Sequence, residues 1–238
     1  MRVMGDVINL LQDVRSCDDF LPRPMSWEHV TQIIDAGRLS LSTGNLQNWK
    51  FVLVIDNEQK YNIAKACFEH YEISLASAHI VICGEPEKAE RYYGSRGKKL
   101  YTVQNCSMAL SSMILQAQEL GLSSRWVAAF DEDELSSLLG IPSSVRPQAV
   151  LAVGYNRRPQ ARPPTYPITS VTYFERYGST IQDFDKFIQN YGAIMKRNLG
   201  ALATSVKEHV RNLEDYAQPY IAQVKEKLKQ LPDSSSKE

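Results

Sequence analysis

"STGNLQNWKF", residues 42–51, joins a helix-patterned stretch to a strand-patterned one. It carries more hydrogen-bonding side chains than a connector needs. Gly44 supplies a turn, while Ser42, Thr43, Asn45, Gln47 and Asn48 supply hydroxyls and amides. Either these groups bond their own backbone, as in Asx and ST turns, or they are held out for a ligand. Trp49 opens an apolar run and reads as core.

Upstream, "SWEHVTQIIDAGRL" (26–39) reads as a helix capped by Ser26, with Val30, Ile33, Ile34 and Gly37 on one face. Residues 5–14 also pattern as a helix, and the turn-rich "VRSCDDFLPRP" follows. Downstream, "KFVLVID" (50–56) and "AHIVICG" (78–84) are short buried strands, with a helix expected over about 58–71 between them. "EPEKAERYYGSRGKK" (85–99) is charged, holds two glycines, and is expected as a mobile excursion. A helix over 101–120 stops at Gly121. "SSRWVAAF" (123–130) is a strand, "DEDELSSLLG" (131–140) a short capped helix and "PQAVLAVGY" (147–155) a strand. Strands and helices interleave around a sheet covered on both faces, so the core is α+β or α/β. "NRRPQARPPTYP" (156–167) then breaks regular structure. From 179 apolar residues recur at steps of three and four, from Ile181 to Leu231, with no strand pattern. The expected division is a core over 1–178 and a helical C-terminal extension over 179–238.

The 238 residues are 43% hydrophobic and 23% charged, a globular balance. Lys+Arg and Asp+Glu both number 27, so there is no overall basic field and no nucleic-acid partner is expected. No run approaches the roughly 18 apolar residues of a membrane span, and the first residues lack a signal-peptide layout. A cytoplasmic protein is expected. The cysteines, Cys17, Cys67, Cys83 and Cys106, form no CxxC pair and read as buried thiols. The scattered histidines give no metal spacing, and no GxxxxGK or GxGxxG appears.

Four stretches, in order, resemble the nitroreductase family of flavin mononucleotide (FMN) enzymes: "VRSCDDF" (14–20), "SLSTGNLQNW" (40–49), "LQAQELGLSSRWVAAFDEDELSSLLGIP" (115–142) and "AVLAVGYNRRPQARPP" (149–164). The similarity extends over about residues 8–178. It implies an α+β, nitroreductase-like fold with a mixed, mostly antiparallel sheet flanked by helices. The departures are specific. Val14 and Asp18 stand where the family has basic residues, Leu41 and Asn48 replace prolines, and Ala128 and Ala129 occupy a glycine turn.

The same resemblance implies the site. Arg15 and Ser16 match the family's phosphate-binding pair, and Arg162 matches the arginine after the last core strand. Ser42, Thr43, Asn45 and Gln47 belong to a loop that in the family reaches the flavin of the partner subunit in a homodimer. The backbone at Ala128 and Ala129 faces the reactive edge of the ring. His70 falls near a ring-contacting position in some relatives, and reads here as a surface helix residue. No side chain is cast as catalytic and no metal is implied, because the flavin carries the chemistry. Asp18 would repel a phosphate by a few kcal/mol at an effective dielectric near 20. Either it turns onto Arg15 or Arg23, or Arg157 and Arg158 supply the missing charge.

The implied activity is hydride transfer from NAD(P)H to a nitroaromatic, a quinone or a similar small acceptor, in an alternating two-step cycle. Segment 85–99 would serve as the lid. Asp18 and the altered prolines keep open a flavin-binding module with little or no turnover. The C-terminal helices keep open a peripheral membrane-associated protein on the same fold, although a stripe of this kind is more often a packing face. The extension is expected to wrap the partner subunit.

Overall fold

Seven consecutive residues, Ala78–Gly84, form a strand that is buried throughout. The unbroken apolar run "AHIVICG" requires this of a strand covered on both faces. The computed structural model containing it describes residues 6–158, 160–161 and 163–180. The chain divides into two units, Met1–Pro163 and Pro164–Glu238.

In the first unit the order is α1 (Asp6–Asp13), β1 (Phe20–Leu21), α2 (Trp27–Arg38), β2 (Trp49–Val54), α3 (Asn57–Ala66), β3 (Ala78–Gly84), α4 (Pro86–Arg96), α5 (Thr102–Glu119), β4 (Ser123–Val127), α6 (Glu132–Leu139) and β5 (Arg146–Asn156). β5 is the central strand. It pairs with β3 on one side, and with β4 and the two residues of β1 on the other; β2 lies outside β3. All these pairings are antiparallel, and a single parallel bridge joins Ser16 to Ser124.

Alternation along β3 and β5 splits the core in two. Ile80, Ile82, Leu151 and Val153 pack with Trp49 and with Ile33 of α2 and Ala109 and Met113 of α5. Val81, Cys83, Val150 and Ala152 pack on the opposite face with Phe20, with Ile63 of α3 and with Leu135 of α6. Burying each large side chain of this kind stabilises the fold by roughly 1.5–3 kcal/mol. At Gly37 α2 and α5 come close: an added Cβ would lie 2.2 Å from the end of the Met113 side chain. All four cysteines are free and buried. Burial pushes the Cys67 and Cys106 thiols up to about 12 and Cys83 to about 11.

The helix caps follow the sequence reading. Ser26 accepts from His29 N at the start of α2, and Asp131 accepts from Glu134 N at the start of α6. Four expectations need correction. The helix after β2 ends at Ala66, because Phe68 and Glu69 take positive φ and turn the chain into a short 3-10 turn, Tyr71–Leu75. His70 caps that turn instead of sitting on a helix face, with Nδ1 2.8 Å from Glu72 Oε1. Segment 85–99 is helical: Pro86 starts α4, Gly94 breaks it at φ 58°, and a π turn over Gly97–Tyr101 leads into α5. β1 lies inside the stretch expected to be only turn.

In the second unit, the described residues 164–180 hold one short helix, α7 (Ile168–Val171), and a ring contact between Tyr173 and Tyr177 at 4.7 Å. Arg162 and the extension beyond 180 lie outside the described residues.

Candidate functional site

Three groups of residues named by the sequence fall on separate parts of the first unit. The first surrounds Ser16. The parallel bridge to β4 holds its backbone, with Cys17 N donating to Ser124 O at 2.9 Å. The side chain of Ser16 is exposed, and Arg125 Nη1 donates to its hydroxyl at 3.3 Å. The same Arg125 nitrogen forms an ion pair with Asp18. Asp18 therefore turns onto neither Arg15 nor Arg23. Its carboxylate is neutralised from β4 by a residue that the motifs did not single out.

Arg15 is turned elsewhere. Its Nη1 donates to Gln12 O at 2.5 Å and Val14 O at 2.8 Å, so it satisfies carbonyls at the C-terminal end of α1, where a cation also suits the helix dipole. Arg157 and Arg158 face Asp19 at 3.2 and 4.0 Å. Among the described residues, Arg125 is the arginine whose guanidinium reaches the Ser16 hydroxyl. The available signal was the exchange of sign at position 18 together with an arginine in a strand motif. Only the tertiary pairing of residues 107 apart in sequence joins the two.

The second group is the loop over residues 42–48. Gly44, Asn45 and Gln47 all have positive φ, at 58°, 54° and 47°. Two non-glycine residues in that region within one short loop store strain that the surroundings must hold. Part of the hold is local: Ser42 Oγ accepts from Gln47 N at 3.0 Å, and Gln47 Nε2 donates to Asn45 Oδ1 at 2.8 Å. To this extent the self-bonded reading of the loop describes the structure. Ser42, Asn45 and Gln47 remain at least partly exposed.

The rest of the hold is long-range. Thr43 N donates to Asn105 Oδ1 at 2.9 Å, and Asn105 Nδ2 donates to Asn48 Oδ1 at 2.7 Å. Asn48 Nδ2 donates in turn to Thr102 Oγ1 at 3.1 Å and Glu85 O at 3.2 Å. Thr102 passes its own hydroxyl proton to Gly97 O at 3.1 Å. Asn48, Thr102 and Asn105 are all buried, so each amide and hydroxyl needs such a partner. This network ties the loop to α5 and to both ends of the α4 excursion. Asn48, which departs from the family's proline, is its centre. A Cβ at Gly44 would meet the Tyr93 hydroxyl at 2.1 Å, so α4 also passes close over the loop. Trp49 is buried in the core, as its position in the apolar run implied.

The third group follows β4. Ala128 and Ala129 are exposed, and the chain is anchored just beyond them by Phe130 in the core and by Asp131 N donating to Ala66 O at 2.8 Å. β4 connects this turn to the Ser16 group. Ser124 and Ala128 lie about 13 Å apart at a strand rise of roughly 3.3 Å per residue. Among the described residues no His, Cys, Asp and Glu group could hold a metal ion, and no helix is long and apolar enough to cross a membrane.

Comparison with known proteins adds to this geometry. The family model described as the nitroreductase family matches residues 12–93 and 73–155. A protein of Archaeoglobus fulgidus with the provisional name NADH dehydrogenase/NAD(P)H nitroreductase is 31% identical over 156 residues, covering 64% of this chain and 86% of the relative. A Bacillus subtilis protein named FMN reductase (NAD(P)H) is 26% identical over 207 residues, covering 79% of this chain and 83% of the relative. Among solved structures, B. megaterium NfrA2 superposes with a TM-score of 0.68 at 23% identity, covering 84% of this chain and 85% of that one. The matched region contains the Ser16 group, the loop and the turn after β4, and the chain belongs to the nitroreductase family.

Proposed function

We propose that this chain is an FMN-dependent oxidoreductase that takes reducing equivalents from NAD(P)H and passes them to a nitroaromatic, a quinone or a similar small acceptor. The observation that carries the reading is Arg125 on the Ser16 hydroxyl, where the family resemblance puts the cofactor phosphate. A guanidinium beside a hydroxyl suits a phosphate, since charge-assisted contacts to one contribute roughly 1.5–3 kcal/mol net. The exposed turn at Ala128–Ala129, a strand's length away, suits the far end of an elongated cofactor. These residues fit FMN.

In this reading Arg125 and Ser16 hold the phosphate, and Asp18 fixes the orientation of Arg125. The backbone at Ala128 and Ala129 borders the ring edge. Ser42, Thr43, Asn45 and Gln47 of a second copy close over the cofactor, and Arg162 adds a phosphate contact. When bound, FMN would supply the hydride chemistry that links the nicotinamide to the acceptor. The protein orients the two substrates in turn at one place and excludes water. The α4 excursion forms the lid.

A homodimer, with residues 179–238 as a clamp on the partner, is part of the proposal. Val7, Ile8 and Leu11 of α1 and Val103 and Met108 of α5 are exposed, and α1 packs on α5. Apolar side chains grouped in this way suit a partner subunit. A cytoplasmic setting goes with the buried free thiols.

The decisive experiment is a spectrum. The purified protein is expected to be yellow with FMN, to bleach when NADH or NADPH is added without air, and to recover colour on addition of a quinone. A protein that binds no FMN at tens of micromolar overturns the proposal. A flavin that dithionite reduces but neither nicotinamide does would leave a binding module without turnover.

A further inference from the structure

Away from the three groups above, a cleft of about 590 Å³ opens between the segment after β1, the end of β2, α3 and the turn before β3. That volume is within the roughly 300–1,000 Å³ of small-molecule sites. Its wall combines two features that a plain surface hollow lacks. Trp27, Ile55, Tyr61 and Leu75 line it and are 65%, 51%, 52% and 46% exposed, a concentration of large apolar side chains left open to water. Lys60 lines it too and is only 5% exposed.

A lysine so buried normally has a carboxylate partner. Lys60 has a single carbonyl: Nζ donates to Ala76 O at 2.6 Å. Asp56, whose charge acts on Lys60, is engaged at the N-cap of α3, accepting from Gln59 N at 2.9 Å. Burial accordingly holds the ammonium below its ordinary pKa. A second cation lines the same cleft. Arg23 has its guanidinium 4.2 Å over the Tyr155 ring and its carbonyl held by the Ser77 hydroxyl at 2.5 Å. Among the described residues, neither Lys60 nor Arg23 forms an ion pair. The segment Ala76–Ser77 thus carries both: one residue binds the Lys60 ammonium and the next binds the Arg23 backbone.

From this charge and apolar pattern we infer that the cleft is a binding site for a small aromatic monocarboxylate, separate from the proposed flavin site. The carboxylate meets Lys60 and Arg23, and the ring lies among Trp27, Tyr61 and Ile55. A neutral aromatic fills the apolar part but leaves the cations without a counter-charge. A mineral anion meets the cations but leaves the apolar wall wet. The ligand that answers both is an amphiphile with one negative charge.

The test uses the full-length protein as purified, with benzoate as probe and benzamide as its neutral counterpart, followed by calorimetry and ligand-observed magnetic resonance. Benzoate is expected to bind at least about tenfold more tightly than benzamide, the factor expected for loss of one charge-assisted contact. Arg23→Gln and Lys60→Gln should each weaken benzoate by about the same factor, and Trp27→Ala, at an exposed site that tolerates truncation, by severalfold. None of the three should alter the flavin spectrum or its reduction by nicotinamide. Benzoate that fails to bind, that binds Trp27→Ala and Arg23→Gln as well as the parent, or that binds only by perturbing the flavin spectrum overturns the inference. Because benzoate affinity and its loss in the variants are read without flavin, they separate failure of this site from failure of the proposed activity.

Discussion

The two polar regions that flank the proposed cofactor position are built in opposite ways. Around Ser16 the groups are charged and partly exposed: Arg125 faces Asp18, and Arg157 and Arg158 face Asp19. Around Asn48 they are neutral and buried, and each amide hands its proton to the next. Exposed charges are adjustable. They contribute little to stability and are screened by salt, but they are available to an anionic ligand. Buried amides are the reverse, since an unmet partner in the interior is expensive and a met one fixes geometry. On the proposed function the labour is divided: the Ser16 side would recognise the phosphate, and the Asn48 side holds the strained loop in place.

The largest test of that division is Asn48→Ala. It leaves Asn105, Thr102 and Glu85 O each short of a partner, at about 1–3 kcal/mol per stranded group. The protein should lose about 3 kcal/mol in urea unfolding, with the loss nearly independent of salt. Asn48→Pro restores the family residue and should fare no better, because the stranded groups are the same. A loss below about 1 kcal/mol would mean that water replaces the amide and that the loop is held by something else.

The second test sets the pH background against which the two regions must be compared. His79 is fully buried, with Nε2 2.9 Å from Ile73 O and Nδ1 without a partner. Desolvation pushes its pKa down from the ordinary 6.5 to about 4. Above the ordinary value both folded and unfolded chains hold it neutral, and stability is unaffected. As pH falls through 6.5 the unfolded chain takes a proton that the folded chain refuses until about pH 4. Stability is therefore lost across that window, by up to about 1.4 kcal/mol per pH unit. Unfolding measured from pH 7 to 4 should show this slope, and His79→Asn should flatten it. A wild-type protein with no slope would show that the ring takes up its proton in the folded state.

The smallest effects separate the arginines. Arg125→Ala should weaken FMN binding by about tenfold, and more at low salt than at high salt. Arg15→Ala should weaken it by less than about threefold, since the Arg15 guanidinium is engaged on the carbonyls of α1. Quenching of flavin fluorescence on titration with apoprotein measures both. The opposite order would return the phosphate contact to Arg15, as the motif alone implies.

What could be read from the sequence follows from how local each signal is. β3 was legible to the residue because an unbroken apolar run has one inexpensive home, the middle of a covered sheet. α2 and α6 were legible because their caps act within three residues. β1 was not, because a strand of two residues has no period and exists only through its partner β5. α4 was obscured by its charges and glycines, although Pro86 marked its first turn. The site divides on the same line. Residues 42–49 signalled themselves by composition, but the family pattern made Asn48 look like a loss. Only its partners on α5 reveal that the change installs a buried amide. Arg125 and Asp18 each looked incongruous alone and make sense only as a pair.

One feature of the sheet bears on how the chain is made. β5 supplies a face to β1, β3 and β4 alike, yet it is the last strand of the described residues to leave the ribosome. Until residues 146–156 emerge, β2 and β3 can pair, but the inner edge of β3 is an open ladder of apolar residues, and β1 and β4 have nothing to join. Between the end of β3 at Gly84 and the arrival of β5 at Arg146–Asn156, the nascent chain therefore carries an uncapped sheet edge, the kind of edge that recruits other chains. Closure is a single late event whose partners lie as far apart in sequence as Phe20 and Asn156, so folding is governed by the arrival of one strand and should be slow for a chain of this size.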